Sequence, residues 1–354
     1  MTIYGRFILA LAMDKGKNGT RNESYAMAGA IIVERISIMS SRLITIFGGS
    51  GFIGRHLVGR LAAKGYRIRL AVRDTEKAAQ LMTQGNVGQI VGMQTNIRNK
   101  ASVERAVAGA DIVINLVGLL YQSGAQNFNA VHLDGATSVA TAAKAAGAKQ
   151  LIHMSALGAS LDSPSVYART KAGAEQAVQR EYEGATILRP SVVFGSDDDF
   201  TNKFGQLTSL LPVLPLLDGG AANMQPLWIE DLAEAIVRIV ETPDAQGRLY
   251  EFGGPDVMSL KEIIDAILAV TGRTCFIAPV PEGLMAFKAF FLQMMPGKPF
   301  LTVDQVRLLK ADNVVSGNYP GFAELGIEPV SLTSVLPEYM TRYQKGGGYS
   351  GLHA

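Results

Sequence analysis

The chain has 354 residues, of which 48% are hydrophobic, and a formal net charge of +2. That length and hydrophobicity suffice to bury one large core or two smaller ones. The near-neutral charge gives no electrostatic case for nucleic acid binding. The single cysteine, Cys275, excludes an internal disulfide and a cysteine-rich metal site, and the four histidines share no metal-binding spacing, so we expect no metal. No apolar run reaches the length needed to span a bilayer.

Residues 1–40 do not fit the pattern that follows them. Their apolar run at 7–13 is short for the core of a signal peptide, and Met39 stands a few residues before the first predicted strand. We therefore expect residues 1–40 to be a disordered extension or to come from an upstream start codon.

The first clear element is a strand that leads through a glycine-rich turn into a helix. Residues 43–47 are largely apolar, as is typical of a buried strand in a parallel sheet, and residues 52–63 carry apolar side chains at helical spacing. The turn between them reads Gly48-Gly49-Ser50-Gly51-Phe52-Ile53-Gly54. A dinucleotide pyrophosphate binds at such a turn, because the backbone and the helix N-terminus can approach the phosphates. The alternative is a tight turn whose glycines serve only packing.

Strands and helices then alternate, which indicates a parallel, doubly wound sheet. The further strands are predicted at residues 67–72, 89–93, 112–116, 151–154 and 186–188. Helices are predicted at residues 75–82, 102–107, 130–146 and 166–182. The pattern breaks after residue 190. Residues 196–223 are predicted to be rich in loops, and helices at 229–240 and 261–270 flank a strand at 249–252.

These elements predict an α/β fold, a doubly wound parallel Rossmann sheet with a smaller α/β C-terminal lobe. We assign residues 41–195 and 225–255 to an NAD(P)-binding domain, so that the second segment folds back onto the first. Residues 196–224 and 256–345 would form the smaller lobe, which faces a substrate or a partner, and residues 346–354 a flexible tail.

The stretch GGSGFIG, with its Gly-x-x-Gly-x-x-Gly spacing, resembles the short-chain dehydrogenase/reductase superfamily in its extended or atypical branch. The resemblance agrees with a nicotinamide nucleotide bound at the loop. The loop residues that we expect to bind the cofactor are Gly48, Ser50, Gly51, Phe52, Ile53 and Gly54.

The end of the second predicted strand selects the cofactor. An acid about twenty residues after the glycine loop would bind the ribose 2′-hydroxyl of NAD. Arg73 stands there instead, and a guanidinium suits the 2′-phosphate of NADP in charge and geometry. We favour NADP(H). NAD(H) stays open, because Arg73 would be a solvated charge if the adjacent Asp74 took the ribose.

Three further stretches are similar to cofactor-lining segments of the superfamily. Asn96 and Ile97 follow the third strand, where many members carry an acid near the adenine, and the carbonyl oxygen of Asn96 could accept the same hydrogen bond. The resemblance further implies contacts with the cofactor from the segment after the fourth strand and from the segment after the sixth, at Leu116, Val117, Gly118, Pro190 and Val193.

A Ser/Tyr/Lys set stands in the superfamily's register. Ser155 ends the fifth strand, and Tyr167 and Lys171 match the Tyr-x-x-x-Lys pattern twelve residues later. Residues four apart share a helix face, so Lys171 would bind the nicotinamide ribose and lower the pKa of Tyr167 toward neutrality. Ser155 would then bind a substrate carbonyl while Tyr167 exchanges its proton. The alternative is an ordinary helix with an exposed lysine.

Four longer stretches together look like the NADPH-binding accessory subunits of respiratory complex I and their bacterial relatives. They are LIHMSALGA at 151–159, YARTKAGAE at 167–175, ILRPSVVFGSDDDFTNKF at 187–204 and QPLWIEDLAEAI at 225–236. The resemblance implies a subunit that holds NADPH beside other complex I subunits near the membrane. Its location would be the cytoplasmic side of the inner membrane in a bacterium, or the matrix side in a mitochondrion.

Two hypotheses follow. The first is this nucleotide-holding subunit; the second is an NADP-dependent reductase or a sugar-nucleotide epimerase or dehydratase that uses Ser155, Tyr167 and Lys171. Residues 282–296 are more apolar than one buried face requires, so they would lie on a membrane surface or a partner, or form a core helix of the small lobe. A sugar-nucleotide enzyme would also need basic residues in the small lobe, where the candidates are Arg273, Lys298 and Arg307.

Overall fold

The computed structural model describes residues 42–294, 297 and 299–347. The predicted extension at 1–40 lies outside these residues. So do residues 348–354 of the predicted tail and the last two residues of the apolar segment 282–296.

Thirteen strands are present in the described part of the chain. In chain order they are β1 (Leu43–Phe47), β2 (Arg67–Val72), β3 (Ile90–Gln94), β4 (Ile112–Asn115), β5 (Gln150–Met154), β6 (Thr186–Pro190), β7 (Val193–Phe194), β8 (Val213–Leu217), β9 (Asn223–Met224), β10 (Leu227–Trp228), β11 (Leu249–Phe252), β12 (Met258–Ser259) and β13 (Phe276–Val280). The seven strands predicted from sequence are confirmed, with ends that differ by at most two residues.

Seven of these strands form one parallel sheet in the order β11-β6-β5-β4-β1-β2-β3. The chain runs outward from β1 to β3, then returns to the other side of β1 with β4. This reversal opens a crevice at the carboxyl ends of β1 and β4, where open α/β sheets bind their ligands. The predicted doubly wound parallel fold is therefore confirmed.

The helices are α1 (Phe52–Ala63), α2 (Thr75–Ala79), α3 (Lys100–Val107), α4 (Asp134–Ala145), α5 (Val166–Glu181), α6 (Thr201–Leu210), α7 (Ile229–Glu241), α8 (Leu260–Thr271), α9 (Glu282–Leu292), α10 (Val303–Leu308) and α11 (Leu332–Met340). Two predicted helices differ in detail. A 3₁₀ turn at Gln80–Gln84 continues α2, and a π-helical turn at Asn129–Leu133 precedes α4.

Helices cover both faces of the sheet because its strands are buried on both sides. Ile44 and Ile46 of β1 face an apolar cluster with α1, α2 and α7, whereas Phe47 faces a second cluster with α3, α4 and α5. The alternation of side chains along β1 thus divides the core into two layers.

Beyond the sheet, a third apolar cluster gathers residues of β8, α8 and α11. The prediction that residues 196–223 are rich in loops is wrong, since this segment contains α6 and β8. Pro215, a residue type that disfavours strands, lies within β8 and pairs with Ala278 of β13 in a two-stranded sheet. Both strands of such a sheet are edges, and an edge strand tolerates proline.

Helix α9 buries only a narrow stripe, formed by Met285 and Ala289. Most of its remaining apolar residues are exposed: Leu284, Phe287, Phe290 and Phe291, with Met294 just beyond. Within the described residues, no helix has the length and apolar character needed to cross a membrane.

Candidate functional site

The glycine loop lies at the carboxyl end of β1, as the sequence predicts. Gly48 has a φ of +76°, and a Cβ there would lie 3.2 Å from Val117 Cγ2. A Cβ on Gly54 would lie 2.3 Å from the carbonyl oxygen of Gly49. Only glycine permits this turn and this close approach of helix to loop. The packing role of the glycines is therefore real, and it produces the short turn that a pyrophosphate site requires.

Helix α1 starts at the loop without a side-chain cap. Gly51 occupies the N-cap position, and residues 52–55 include no acid. The first amides of a helix lack intrahelical partners, so this end offers free donors and the positive end of the helix dipole. Ser50, Phe52 and Ile53 are half-buried beside it. The arrangement fits an anionic group such as a pyrophosphate.

A charged network holds α1 in place. The Arg55 guanidinium donates to the backbone oxygen of Ser50 (3.3 Å) and to Asp197. His56 lies between two carboxylates, with Nδ1 2.6 Å from Glu230 and Nε2 2.9 Å from Asp197. Burial lowers the pKa of His56, but the hydrogen bonds to these two acids outweigh it and raise the pKa above its usual value.

The segment after β4 joins the loop to the predicted Tyr-x-x-x-Lys pair. A Cβ on Gly48 would lie 3.3 Å from the backbone of Leu116, so this segment runs close to the glycine loop. A Cβ on Gly118 would lie 3.5 Å from Lys171 Nζ, so the lysine reaches this segment directly. The structure therefore brings the glycine loop, the segment after β4 and Lys171 together at the carboxyl ends of the central strands.

Lys171 is buried on α5, and its Nζ donates to the backbone oxygen of Met154 (2.9 Å). Burial lowers the pKa of this amine to about 8, although Glu175 raises it. Ser155 directly follows Met154, and its buried Oγ has no hydrogen-bond partner among the described residues. A buried hydroxyl without a partner normally awaits a ligand or a water.

Tyr167 lies above this pair, with Lys171 Nζ 5.9 Å from its ring centroid. The expectation that Lys171 brings the Tyr167 pKa toward neutrality is wrong for this structure, because burial raises the pKa of Tyr167 to about 12. The ring packs edge-on against Phe128 and His132, at centroid distances of 5.8 and 5.3 Å. Phe128 and His132 carry no sequence signal that places them beside Tyr167.

His132 has a structural role, because both of its ring nitrogens form hydrogen bonds within the chain. Its Nε2 accepts from the amide of Leu119 (2.9 Å), so Nδ1 carries the proton and faces Thr170 Oγ1 (3.1 Å). Burial lowers the pKa of His132 to about 2, which keeps the ring neutral.

Pro190 is the last residue of β6, and Val193 begins β7 shortly after it. The backbone oxygen of Pro190 accepts from the amide of Leu157 (3.0 Å), two residues beyond Ser155. Val193 pairs with Leu227 in a two-stranded parallel sheet beside the main one. Pro190 ends β6, which pairs with β5, the strand that presents Ser155.

Arg73 lines a separate polar cleft of about 400 Å³ beyond the end of β2. Its other lining residues are Gln94, Thr95, Asn96, Arg98, Asn99, Ser102, Arg105 and Gln126. The Asn96 side-chain oxygen accepts from the amide of Arg98 (3.1 Å), while Ile97 is buried against Gly135. The amide of Gly48 bonds the carbonyl of Ala71 in β2, which connects this cleft to the glycine loop (3.1 Å).

The carboxylate of Asp304 caps the helix that carries Tyr167. It accepts from Ser165 Oγ (2.7 Å) and from the amides of Val166 (2.7 Å) and Tyr167 (3.0 Å). Asp304 lies in the first turn of α10, about 140 residues further along the chain, so no local sequence signal marks the contact. It ties α10 to the start of α5.

Residues 44–253, more than half of the chain, match the NAD dependent epimerase/dehydratase family. The chain belongs to this family of nicotinamide nucleotide-binding Rossmann proteins. It is similar to NADH dehydrogenase (ubiquinone) 1 alpha subcomplex subunit 9, mitochondrial, of Arabidopsis thaliana, with 33% identity over 322 residues, 88% of this chain and 80% of that protein. The resemblance to complex I accessory subunits is thereby confirmed.

Two further proteins are similar to the chain. A ceramide reductase of Caulobacter vibrioides is 34% identical over 201 residues, 57% of this chain and 62% of that protein. The structure of a Citrobacter sp. triphenylmethane reductase complexed with NADP(H) superposes with a TM-score of 0.67 at 18% identity, covering 84% of this chain and 99% of that chain. The latter likeness shows the fold alone.

Proposed function

We propose that this chain is an NADP(H)-binding accessory subunit of a respiratory NADH:quinone oxidoreductase and holds the nucleotide structurally near the membrane. The observation that carries the proposal is the similarity to a subunit 9 protein over 88% of the chain. That similarity extends beyond the family match at 44–253 and into the small lobe, which nucleotide binding alone does not require. A shared second lobe points to shared partners, here the subunits of the respiratory complex.

The choice of NADP(H) over NAD(H) rests on Arg73 and Asp74. The Asp74 carboxylate caps α2 by accepting from the amide of Glu76 (3.0 Å), so the orientation of this side chain is set by the helix that it caps. Arg73 is exposed on the neighbouring cleft, and its guanidinium suits a 2′-phosphate. The competing role of Asp74 as a ribose ligand is therefore disfavoured.

The glycine loop would hold the pyrophosphate, and Lys171 would bind the nicotinamide ribose. Both assignments follow from the free donors at the start of α1 and from the position of Nζ beside Gly118. The nicotinamide group supplies hydride chemistry when bound. Burial raises the pKa of Tyr167 to about 12, so its phenol carries its proton near neutral pH.

One observation favours the second candidate function, an NADP-dependent reductase. Ser155 Oγ has no hydrogen-bond partner among the described residues. It lies at the same end of the sheet as Tyr167 and Lys171, where it could donate a hydrogen bond to a substrate carbonyl. A sugar-nucleotide enzyme is less well supported, because the Arg273 guanidinium is bonded to backbone oxygens of Tyr343, Ser209 and Gln344 and is not free for a diphosphate. Lys298 lies outside the described residues.

Two variants distinguish holding from turnover. Tyr167→Phe keeps the ring and removes only the hydroxyl, so an accessory subunit should retain NADPH and assemble as the wild type does. Lys171→Ala removes the ribose ligand and should loosen NADPH by at least about tenfold, which corresponds to about 1.4 kcal/mol. Loss of an NADPH-dependent reduction in isolated Tyr167→Phe protein would establish the enzyme instead.

The exposed face of α9 is the part that we assign to the membrane. Its phenylalanines supply most of the exposed apolar surface of the helix, and Lys288 adds an exposed positive charge that favours anionic headgroups. Replacing Phe287 and Phe291 with aspartate should abolish sedimentation with vesicles of phosphatidylglycerol and phosphatidylcholine. Phe276→Asp is the matched control, since Phe276 is 67% exposed but lies on β13. Equal vesicle binding by all variants would refute the assignment.

A further inference from the structure

The cleft beside Arg73 is basic to a degree that one phosphate-binding arginine does not explain. Arg73, Arg98 and Arg105 all line it, and all three are exposed. Their side chains form no ion pair or hydrogen bond with any residue that the structure describes. No aspartate or glutamate belongs to the described lining.

Three uncompensated guanidinium groups around one cleft repel each other and attract an anion. Other arginines on this side of the sheet are engaged. Arg69, also on β2, donates to the backbone oxygens of Ala106 (2.7 Å) and Ala108 (2.8 Å) at the end of α3. Arg69 thus has backbone acceptors, whereas Arg105 has none among the described residues.

The backbone that carries Arg98 and Arg105 is fixed before any ligand arrives. The Asn99 side chain caps α3 by accepting from the amide of Ser102 (2.9 Å), and Ser102 Oγ accepts from the amide of Asn96 (3.1 Å). Helix α3 is anchored on the core by Val103 and Ala106. A rigid support of this kind reduces the ordering needed for binding.

We propose that Arg98 and Arg105 complete a three-arginine cradle with Arg73 for the 2′-phosphate of NADP(H). The proposal rests on the proposed function, since it assumes that the adenosine end of the nucleotide enters this cleft. A phosphate monoester carries a charge of about −1.5 to −2 near neutral pH, which more than one guanidinium can share. The amides of Gln94, Asn96, Asn99 and Gln126 supply the polar remainder of the cleft.

The test measures two fragments of the cofactor on the full chain by calorimetry. Adenosine 2′,5′-bisphosphate carries the 2′-phosphate, and adenosine 5′-diphosphate does not. Arg98→Ala and Arg105→Ala should each weaken the bisphosphate at least tenfold and change the diphosphate less than twofold. Arg105→Lys, which keeps the charge but loses the fork, should fall between Arg105→Ala and the wild type.

Arg67→Ala is the matched control, because Arg67 is exposed at the opposite end of β2 from Arg73. It removes the same charge and should leave both affinities unchanged. Melting temperatures equal to that of the wild type would show that the surface substitutions keep the fold intact.

The proposal is overturned if Arg98→Ala and Arg105→Ala bind the bisphosphate as the wild type does while Arg73→Ala loses it. In that case NADP(H) preference stands and only the cradle fails. It is also overturned if the wild type binds both fragments equally. That second outcome removes the NADP(H) assignment as well, whereas membership of a respiratory complex is tested separately by co-purification.

Discussion

Replacing Lys171 with methionine should stabilise the protein in the absence of nucleotide. Burial lowers the pKa of Lys171 from 10.5 to about 8, and this shift corresponds to about 3 kcal/mol of folding free energy while the amine is protonated. Methionine has a similar unbranched shape and no charge. Loss of the hydrogen bond to Met154 offsets about 1 kcal/mol. Glu175 keeps its partner, since Arg189 Nη2 lies 2.6 Å away. We expect a net gain of about 2 kcal/mol near pH 7.

The stability difference between Lys171→Met and the wild type should depend on pH, and the direction of that dependence can be measured. The folded pKa of Lys171 is below its unfolded value, so the unfolded chain binds more protons between pH 8 and pH 10.5 and wild-type stability rises across that interval. The advantage of Lys171→Met should therefore be full below about pH 8 and shrink toward about pH 10. Urea unfolding of both proteins near these two values measures it. A variant no more stable than the wild type near neutrality, or an advantage that does not change with pH, would refute the reasoning.

Three further predictions concern the scaffold. Gly54→Ala should lower the melting temperature and abolish NADPH binding, because its Cβ would lie 2.3 Å from the Gly49 oxygen; an unchanged melting curve would argue against this. Asp304→Ala should destabilise the chain by about 1–3 kcal/mol, because it removes the carboxylate that accepts from the amide of Tyr167. Hydrogen exchange at that amide should accelerate, and unchanged exchange there would exclude the capping role. His56→Gln should destabilise the fold more near pH 6 than near pH 8.5. The raised pKa of His56 stabilises the fold below pH 6.5, and this contribution is lost as the pH rises through the folded pKa. Thermal melts in which the variant differs from the wild type equally at both pH values would contradict this.

The local elements of the nucleotide fold could be predicted from sequence because their signals are local. An apolar strand followed by GGSGFIG and an amphipathic helix leaves few alternatives for residues 43–63. The same holds for Arg73, whose distance from the loop is set by one helix and one strand. Lys171 is assigned to the site by its spacing from Tyr167, and a Cβ on Gly118 would lie 3.5 Å from its Nζ; its role as a cofactor ligand stays a prediction.

What sequence reasoning missed depends on contacts between distant segments. Strand β8 pairs with β13, which lies more than 50 residues later, so no local signal marks it as a strand, and its Pro215 favours a loop. Arg105 carries no motif, and only the fold brings it to the cleft that Arg73 lines. The pKa of Tyr167 was also misjudged, because a spacing of four residues shows the nearby charge but not the burial that outweighs it.

The central claim is that the chain holds NADP(H) within a respiratory quinone reductase. It is tested most directly by purifying the tagged chain from its native membrane in mild detergent, identifying the co-purifying proteins by mass spectrometry, and measuring the nucleotide released on denaturation. We expect recovery with the subunits of a multi-subunit NADH:quinone oxidoreductase, together with NADPH in excess over NADH. Recovery as a soluble homo-oligomer without those subunits would contradict it.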